Sequence, residues 1–161
     1  MTTPTITRGT ARFQASETLR AHLQRVLVDL VDLHLQGKQA HWNVTGRGFR
    51  DLHLQLDELV DAAREHSDTV AERLRALQAV PDGRTETVAT TTDLSPYPAD
   101  LLSVGDTVTT VVERVAQTVA VVREVHDAVD AEDPTSADLL HEILADLEKQ
   151  AWFLSSENHE V

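Results

Sequence analysis

Cysteine is absent from this 161-residue sequence, and its absence excludes disulfide bonds, thiol catalysis and cysteine-based zinc sites. The only methionine is Met1, so no internal side chain carries an easily oxidised sulfur atom. Glycine and proline are scarce, with six and five residues that cluster at a few positions. Long stretches of the chain are therefore free of helix breakers.

The sequence also lacks any apolar run long enough to span a membrane, which takes about 18 residues or more. Residues 1–13 are rich in threonine and contain no apolar segment of the kind that a secretory signal requires. We therefore predict a cytoplasmic protein with no membrane partner.

Basic residues are few: 14 lysines and arginines stand against 27 aspartates and glutamates, which gives a net charge of −13. Between Arg123 and Lys149 the sequence has nine acidic residues and no lysine or arginine. An acidic surface repels the phosphates of nucleic acids and attracts cations. Because most acidic proteins are simply soluble, the charge alone favours metal handling only slightly.

The length and the 41% of apolar residues are typical of one globular domain with a real core. Apolar residues recur at the i, i+3, i+4, i+7 spacing of amphipathic helices, even where many of them are valines. Ser16 before Glu17 has the pattern of a helix N-cap, and so has Asp133 before Pro134. The predicted helices cover residues 17–43, 49–79, 104–131 and a fourth segment that starts at 134.

Residues 81–98, between the second and third predicted helices, are rich in threonine and proline. We interpret them as a long crossover with a short helix near residues 98–103. Two short turns and one long middle connection are typical of a ferritin-like bundle that runs up-down-down-up. The sequence therefore predicts an all-α fold, with residues 1–15 as a flexible N-terminal arm and residues 16–161 as a ferritin-like four-helix bundle.

Four side chains that can bind metal share one face of the second predicted helix, since each residue advances the helix by about 100°. They are His53, Asp57, Asp68 and Glu72. His41 lies at the end of the first predicted helix, where an antiparallel neighbour would bring it near His53. Histidine and carboxylate ligands suit iron, zinc or manganese.

Distance divides these residues into two halves. Asp57 and Asp68 are 11 residues apart, or about 16 Å along a helix, whereas metal–ligand bonds are about 2 Å long. Two second helices packed antiparallel about a two-fold axis would join the first half of one chain to the second half of the other. The alternative is that these are solvated helix residues, with His41 or His53 as a cap or a hydrogen-bonding group.

A di-iron centre inside a single bundle is disfavoured by a further absence. Such centres use Glu-x-x-His pairs that project inward from two helices. The sequence contains no Glu-x-x-His anywhere.

Several segments around these residues resemble the Dps family, the DNA-protection mini-ferritins. They are Lys-Gln-Ala-His-Trp-Asn-Val at 38–44, Gly46, Phe49, Leu52-His53, Leu56-Asp57 and Asp-Thr-Val-Ala-Glu-Arg at 68–73. Ser-Pro-Tyr-Pro at 95–98 and Glu-Lys-Gln-Ala-Trp-Phe at 148–153 also resemble family segments. The likeness covers nearly the whole chain from about residue 16, and the spacing of the five ligand candidates matches the family's inter-subunit ferroxidase pattern at every position.

The resemblance implies a catalytic site for two iron ions that is shared between two subunits. Its metal ligands would be His41, His53 and Asp57 of one subunit with Asp68 and Glu72 of its dimer mate. The resemblance also implies a homododecamer with a hollow shell, which oxidises Fe(II) with hydrogen peroxide or dioxygen. Ferric mineral would be stored inside the shell, and DNA would be protected from oxidative damage.

The acidic residues between Arg123 and Lys149 include some that lie where the family has a three-fold pore. Acidic side chains that meet at such a pore would attract Fe(II) and draw it inward. The pore candidates are Asp130, Glu132, Asp133 and Asp138. The alternative is that Asp133 caps a helix and that the others are ordinary solvated acids.

Two tryptophans and six histidines complete the set of chemically capable side chains. Trp42 and Trp152 could scavenge stray oxidising equivalents, but we expect core packing to be their main role. The remaining histidines have no assigned role and are expected to be surface or packing residues: His22, His34, His66, His126, His141 and His159.

Many members of the family bind DNA through a lysine-rich terminal arm, and that pattern is missing here. Residues 1–15 contain only Arg8 and Arg12 as basic residues, and residues 156–161 contain none. Twelve acidic chains would repel a polyanion, although twelve arms could act together.

The two functions that remain are a peroxide-dependent ferroxidase and iron store, or a nucleoid-associated protein that compacts DNA. An inert helical scaffold has little support.

Overall fold

The computed structural model describes residues 13–157, which form four long helices, one short helix and two strands of two residues each. In chain order they are α1 Glu17–Asn43, β1 Val44–Thr45, α2 Phe49–Ala76, α3 Thr85–Thr91, β2 Leu102–Ser103, α4 Val104–Glu132 and α5 Pro134–Glu157. Both α1 and α5 pack against α2 and α4, so that the four long helices enclose one core. The predicted all-α bundle with a long crossover is confirmed.

The core consists mainly of leucine and valine side chains from the four long helices. Leu30 of α1, Leu56 of α2 and Leu147 of α5 are fully buried. Most buried residues of α4 are valines, among them Val111, Val115 and Val122. The helical spacing of these valines therefore outweighs their preference for strands.

The first turn of α1 is held by the last residue of α4. Ser16 is the predicted N-cap, and its hydroxyl oxygen accepts a hydrogen bond from the backbone N of Leu19 at 3.0 Å. The carboxylate of Glu132 accepts two further hydrogen bonds, from the Ser16 backbone N at 2.8 Å and from the Ser16 hydroxyl at 2.6 Å. The start of the bundle is thus tied to its α4–α5 corner.

That corner contains a single non-helical residue, Asp133, between α4 and α5. The backbone N atoms of Ser136 and Ala137 donate to the carbonyl oxygen of Asp133. The carboxylate of Asp133 accepts hydrogen bonds from the Ser136 hydroxyl and from Arg73 of α2, the latter at 2.6 Å. The predicted N-cap at this position is therefore also a link to α2.

The second helix ends three residues before the predicted boundary at residue 79. Gln78 adopts a positive φ of 64°, and the backbone N of Ala79 donates to the carbonyl of Leu74 at 2.9 Å. The backbone N of Gln78 also donates to the carbonyl of Arg75. The two hydrogen bonds together form a Schellman motif, which ends the helix before Pro81.

The prediction of a short helix near residues 98–103 is wrong. The short helix is α3, and Leu102 and Ser103 form a parallel bridge with Val44 and Thr45. Asp82 supports the start of α3, because its carboxylate accepts hydrogen bonds from Arg84 and from Thr87. A two-residue bridge has too few residues to produce a sequence period.

The N-terminal arm predicted for residues 1–15 lies almost entirely outside the described residues. Of its last three residues, Ala15 is buried, and its backbone N donates to the carbonyl of Leu77 at 3.2 Å.

The expectation that Trp42 and Trp152 pack in the core is wrong for this chain. Trp42 is 67% exposed and Trp152 is 64% exposed. Trp42 lies near the end of α1, where the buried face of the helix is provided by Ala40 and His41 instead.

Among the helices of residues 13–157, none is both long and apolar enough to cross a membrane.

Gly37 allows a close approach of α1 and α2. A Cβ atom at this position would lie 2.8 Å from Cγ2 of the buried Val60. We expect Gly37→Ala to lower the free energy of unfolding by about 1–2 kcal/mol, because overpacking exceeds the gain in helix propensity. Urea denaturation at fixed protein concentration measures the change. Gly83→Ala is the control, since nothing lies within 4 Å of a Cβ there. Equal stability of Gly37→Ala and the wild type would contradict this account of the helix contact.

Candidate metal centre

His41 and His53 form an interlocked pair at the turn between α1 and α2. Gly46 and Gly48 have φ values of 114° and 84°, which favour glycine, and they return the chain so that α2 runs back along α1. The Nδ1 atom of His41 lies 2.9 Å from the carbonyl oxygen of His53, and Nδ1 of His53 lies 2.9 Å from the carbonyl oxygen of His41. The two rings stack with centroids 3.6 Å apart.

These contacts determine which ring nitrogens are free. A carbonyl oxygen only accepts hydrogen bonds, so Nδ1 of both rings must donate and must hold the proton. In a neutral imidazole the Nε2 atom then keeps its lone pair, which is the form that binds a metal ion. The backbone carbonyl of each helix thus holds the histidine of the other helix in the tautomer that can bind a metal ion through Nε2.

Asp57, one helical turn after His53, supplies a carboxylate beside this pair. Its Oδ1 atom lies 2.6 Å from Nζ of Lys38 and 3.3 Å from Nδ1 of His41. The hydrogen bond from Lys38 lowers the pKa of Asp57 below its ordinary value. The carboxylate is therefore ionised, and in this state its charge is matched by an ammonium group.

Asp68 and Glu72 lie on consecutive turns further along α2, and both are exposed. Asp68 lines a surface cavity of about 640 Å³ together with His34, Asp61 and Arg64. Since Asp57 and Asp68 belong to the same helix, they remain about 16 Å apart along its axis.

The structure therefore brings together three of the five predicted ligands, His41, His53 and Asp57, and separates them from Asp68 and Glu72. These three side chains are neighbours, but within residues 13–157 no three histidine, aspartate or glutamate side chains, these three included, are arranged so that they could hold a metal ion. The five predicted ligands therefore lie in two separate groups of one chain, and their role as metal ligands stays a prediction.

Two of the four pore candidates are engaged within the chain. Glu132 binds Ser16, and these hydrogen bonds lower the pKa of Glu132. Burial raises the pKa of Asp133, but hydrogen bonds from Ser136 and Arg73 outweigh burial and leave the pKa below its ordinary value. Asp130 and Asp138 lie exposed on either side of the corner.

Sequence reasoning missed the part that Lys38 plays. Its position one turn before His41 was the available signal, because residues three apart lie on the same side of a helix. The contact with Asp57 depends on how α1 and α2 cross, and no spacing within one helix specifies that.

The family comparison identifies the domain. Residues 20–160 match the family described as Ferritin-like domain. The chain is 35% identical over 143 residues to the DNA protection during starvation protein of Agrobacterium fabrum, covering 88% of each chain. It is 33% identical over 139 residues to the protein of that name from Halobacterium salinarum, covering 86% of this chain and 74% of the relative.

Solved structures give the same result. The structure of Dps from Microbacterium arborescens in the high iron form has a TM-score of 0.85 and 32% identity, covering 92% of this chain and 99% of that chain. The tetragonal form of Mycobacterium smegmatis Dps has a TM-score of 0.87 and 26% identity, covering 95% and 96%. The chain therefore belongs to the Dps family of ferritin-like proteins.

Proposed function

We propose that this protein is an iron-oxidising and iron-storing mini-ferritin whose ferroxidase sites lie between subunits. One observation supports this most directly: α2 bears two incomplete ligand sets, His53 with Asp57 and Asp68 with Glu72, about 16 Å apart. Two copies of α2 packed antiparallel about a two-fold axis place opposite sets together and produce two equal sites.

Fe(II) is the substrate of these sites, and the chain's residues have distinct tasks. The Nε2 lone pairs of His41 and His53 bind the metal, and their Nδ1 atoms stay fixed on backbone carbonyls. The carboxylates of Asp57, Asp68 and Glu72 stabilise the Fe(III) that forms, since hard oxygen ligands favour the higher charge. Lys38 leaves Asp57 when the metal arrives.

The overall reaction balances without radical release. Two Fe(II) ions each give one electron to one hydrogen peroxide molecule, two protons are taken up, and two water molecules form. A site that holds two iron ions delivers both electrons together, so no hydroxyl radical is released. We expect dioxygen to serve as a second oxidant, and the ferric product to be stored within a hollow homododecamer in the cytoplasm.

Iron uptake is assigned to the acidic corner between α4 and α5. Asp130, Glu132, Asp133 and Asp138 are the proposed pore residues. Because Glu132 and Asp133 are held by Ser16 and Arg73, the exposed Asp130 and Asp138 are best placed to attract Fe(II) where subunits meet.

The proposal is tested by anaerobic loading with Fe(II), followed by hydrogen peroxide at less than the stoichiometric amount. We expect about two Fe(II) oxidised per peroxide, as ferric absorbance, with little radical trapped. Sedimentation should give the mass of twelve chains. A monomer or simple dimer at working concentration would contradict the assembly, and one Fe(II) per peroxide with abundant radicals would contradict the dinuclear site.

Lys38 offers a sharper test of metal binding. We expect Lys38→Met to tighten binding of Co²⁺, a redox-stable probe, by up to about fivefold, because the metal no longer competes with a partly exposed ammonium for Asp57. Isothermal titration measures the change. Lys149→Met, at the only other lysine, is the control. Weaker binding by Lys38→Met would show that Lys38 supports the site instead.

The proposed protection of DNA does not require DNA binding. We expect no gel retardation of duplex DNA at about 0.15 M salt, because a chain of net charge −13 with two arginines in residues 1–15 repels a polyanion. The alternative is a nucleoid-associated protein that compacts DNA physically. A salt-sensitive shift that disappears when residues 1–15 are deleted would favour that alternative.

A further inference from the structure

His126 and His141, which the proposed ferroxidase site does not use, face each other across α4 and α5. Their Nε2 atoms are 2.7 Å apart, and their ring centroids are 4.5 Å apart. His126 precedes the end of α4 by six residues and His141 follows the start of α5 by seven, so both lie about two turns from the corner. They line a cavity of about 210 Å³ with Arg123, Asp127 and Leu144.

The outer nitrogen of each ring faces a carboxylate. Nδ1 of His126 lies 3.0 Å from Oδ1 of Asp127, so Nδ1 donates and Nε2 is left with its lone pair. Nδ1 of His141 lies 3.8 Å from Oδ1 of Asp138. Metal-binding histidines commonly have the arrangement seen at His126, in which the second nitrogen donates to a carboxylate and the first points at the metal.

We infer that His126 and His141 form a binding site for one divalent cation of the imidazole-preferring class, Ni²⁺, Cu²⁺ or Zn²⁺. Without metal, the two Nε2 atoms share one proton, which His141 supplies. When a cation binds, the neutral His141 changes tautomer: Nε2 releases its proton to water, Nδ1 takes one up from water beside Asp138, and no net proton is released. Both lone pairs then point at the metal, and water completes the coordination.

The distances permit this change with little movement. Metal–nitrogen bonds of about 2.0–2.1 Å at a tetrahedral angle need the two Nε2 atoms about 3.3 Å apart, which is about 0.6 Å more than in the metal-free pair. His141 has a side chain that is 59% exposed, so a small rotation can provide that distance. The positive charge of Arg123, which lines the same cavity, is already paired with Glu148.

The test uses the assembled, iron-free protein and Ni²⁺ as the probe. We expect the wild type to bind one Ni²⁺ more per chain than His126→Ala, His141→Ala or the milder His141→Gln. Asp127→Asn should keep the site but weaken it about tenfold, since it removes the charge that orients His126. His22→Ala is the matched control and should bind as the wild type does.

Two further measurements separate this site from the proposed ferroxidase site. His53→Ala should keep the equivalent of Ni²⁺ that His126→Ala loses, and in the double variant the two losses should add. With Cu²⁺ bound to His53→Ala, electron paramagnetic resonance should show a signal from two nitrogen ligands that is lost when His141→Gln is added to the same chain. Equal Ni²⁺ stoichiometry and affinity in the wild type, His126→Ala and His141→Gln would overturn the inference, whatever the ferroxidase measurements give.

Discussion

A mixture of two inactive variants should recover peroxide-driven Fe(II) oxidation. His53→Ala and Glu72→Ala, each assembled alone, should lose most of the activity, because every shared site then lacks one ligand. In a mixed dimer, one site takes His53 from the Glu72→Ala chain and Glu72 from the His53→Ala chain. That site is complete, and the other site lacks both residues.

Random reassembly should make about a quarter of all sites complete, since half of the dimers are mixed and each mixed dimer has one complete site out of two. The initial rate of ferric absorbance, measured per iron bound, gives the recovered fraction. A mixture of His53→Ala with Asp57→Ala is the matched control and should stay inactive, because both residues belong to the same half-site. If mixed shells form and remain as inactive as their parents, Asp68 and Glu72 do not complete the site from a second chain.

Asp29 should make the stability of the protein depend on pH between about 4 and 6. Its side chain is fully buried on α1, where Oδ1 accepts a hydrogen bond from the backbone N of Asp93 at 2.9 Å. Its Oδ2 atom has no partner. Burial raises the pKa of Asp29 from 3.8 to about 6. Between about pH 4 and pH 6, Asp29 therefore keeps its proton in the folded chain, whereas in the unfolded chain it has released it.

Proton linkage gives the direction in which the free energy of unfolding changes with pH. The favourable contribution of Asp29 is fully present below pH 4 and is lost as the pH rises through 6, which costs on the order of 3 kcal/mol. Asp29→Asn removes this loss, so its free energy of unfolding relative to the wild type should rise by about 2–3 kcal/mol between pH 4 and pH 7. Urea denaturation at constant protein concentration across this range measures it.

Asp32→Asn is the control for that measurement. Asp32 is half-buried, and its carboxylate accepts a hydrogen bond from the Thr92 hydroxyl at 2.8 Å, so it lies in the same contact between α1 and the crossover. The variant should keep the pH dependence of the wild type. A constant difference in stability between Asp29→Asn and the wild type from pH 4 to pH 7 would contradict the raised pKa.

The sequence was sufficient for the four long helices, because their apolar periods and the caps at Ser16 and Asp133 are local signals. The division of the predicted ligands into two groups also followed from sequence, since the distance between Asp57 and Asp68 depends only on the rise of one helix. The position of α3 did not follow. It depends on side chains such as Asp82 and on tertiary contacts, which have no period.

Contacts between helices were equally inaccessible from sequence. The bond from Lys38 to Asp57, the stacking of His41 on His53 and the pairing of His126 with His141 all depend on the relative register of two helices. The exposure of Trp42 was missed for a related reason: an aromatic residue next to a buried stripe has no local signal that separates core from surface.

The one-residue corner at Asp133 constrains how this chain can change length during evolution. A residue added there would either break the backbone hydrogen bonds that start α5 or rotate that helix about its axis by about 100°. Such a turn would rotate Leu140 and Leu147 away from the core, where both are now fully buried. The crossover around α3 has open loops on both sides and can absorb insertions. We therefore expect variation in length among close relatives to accumulate in the crossover, while the corner keeps its single residue.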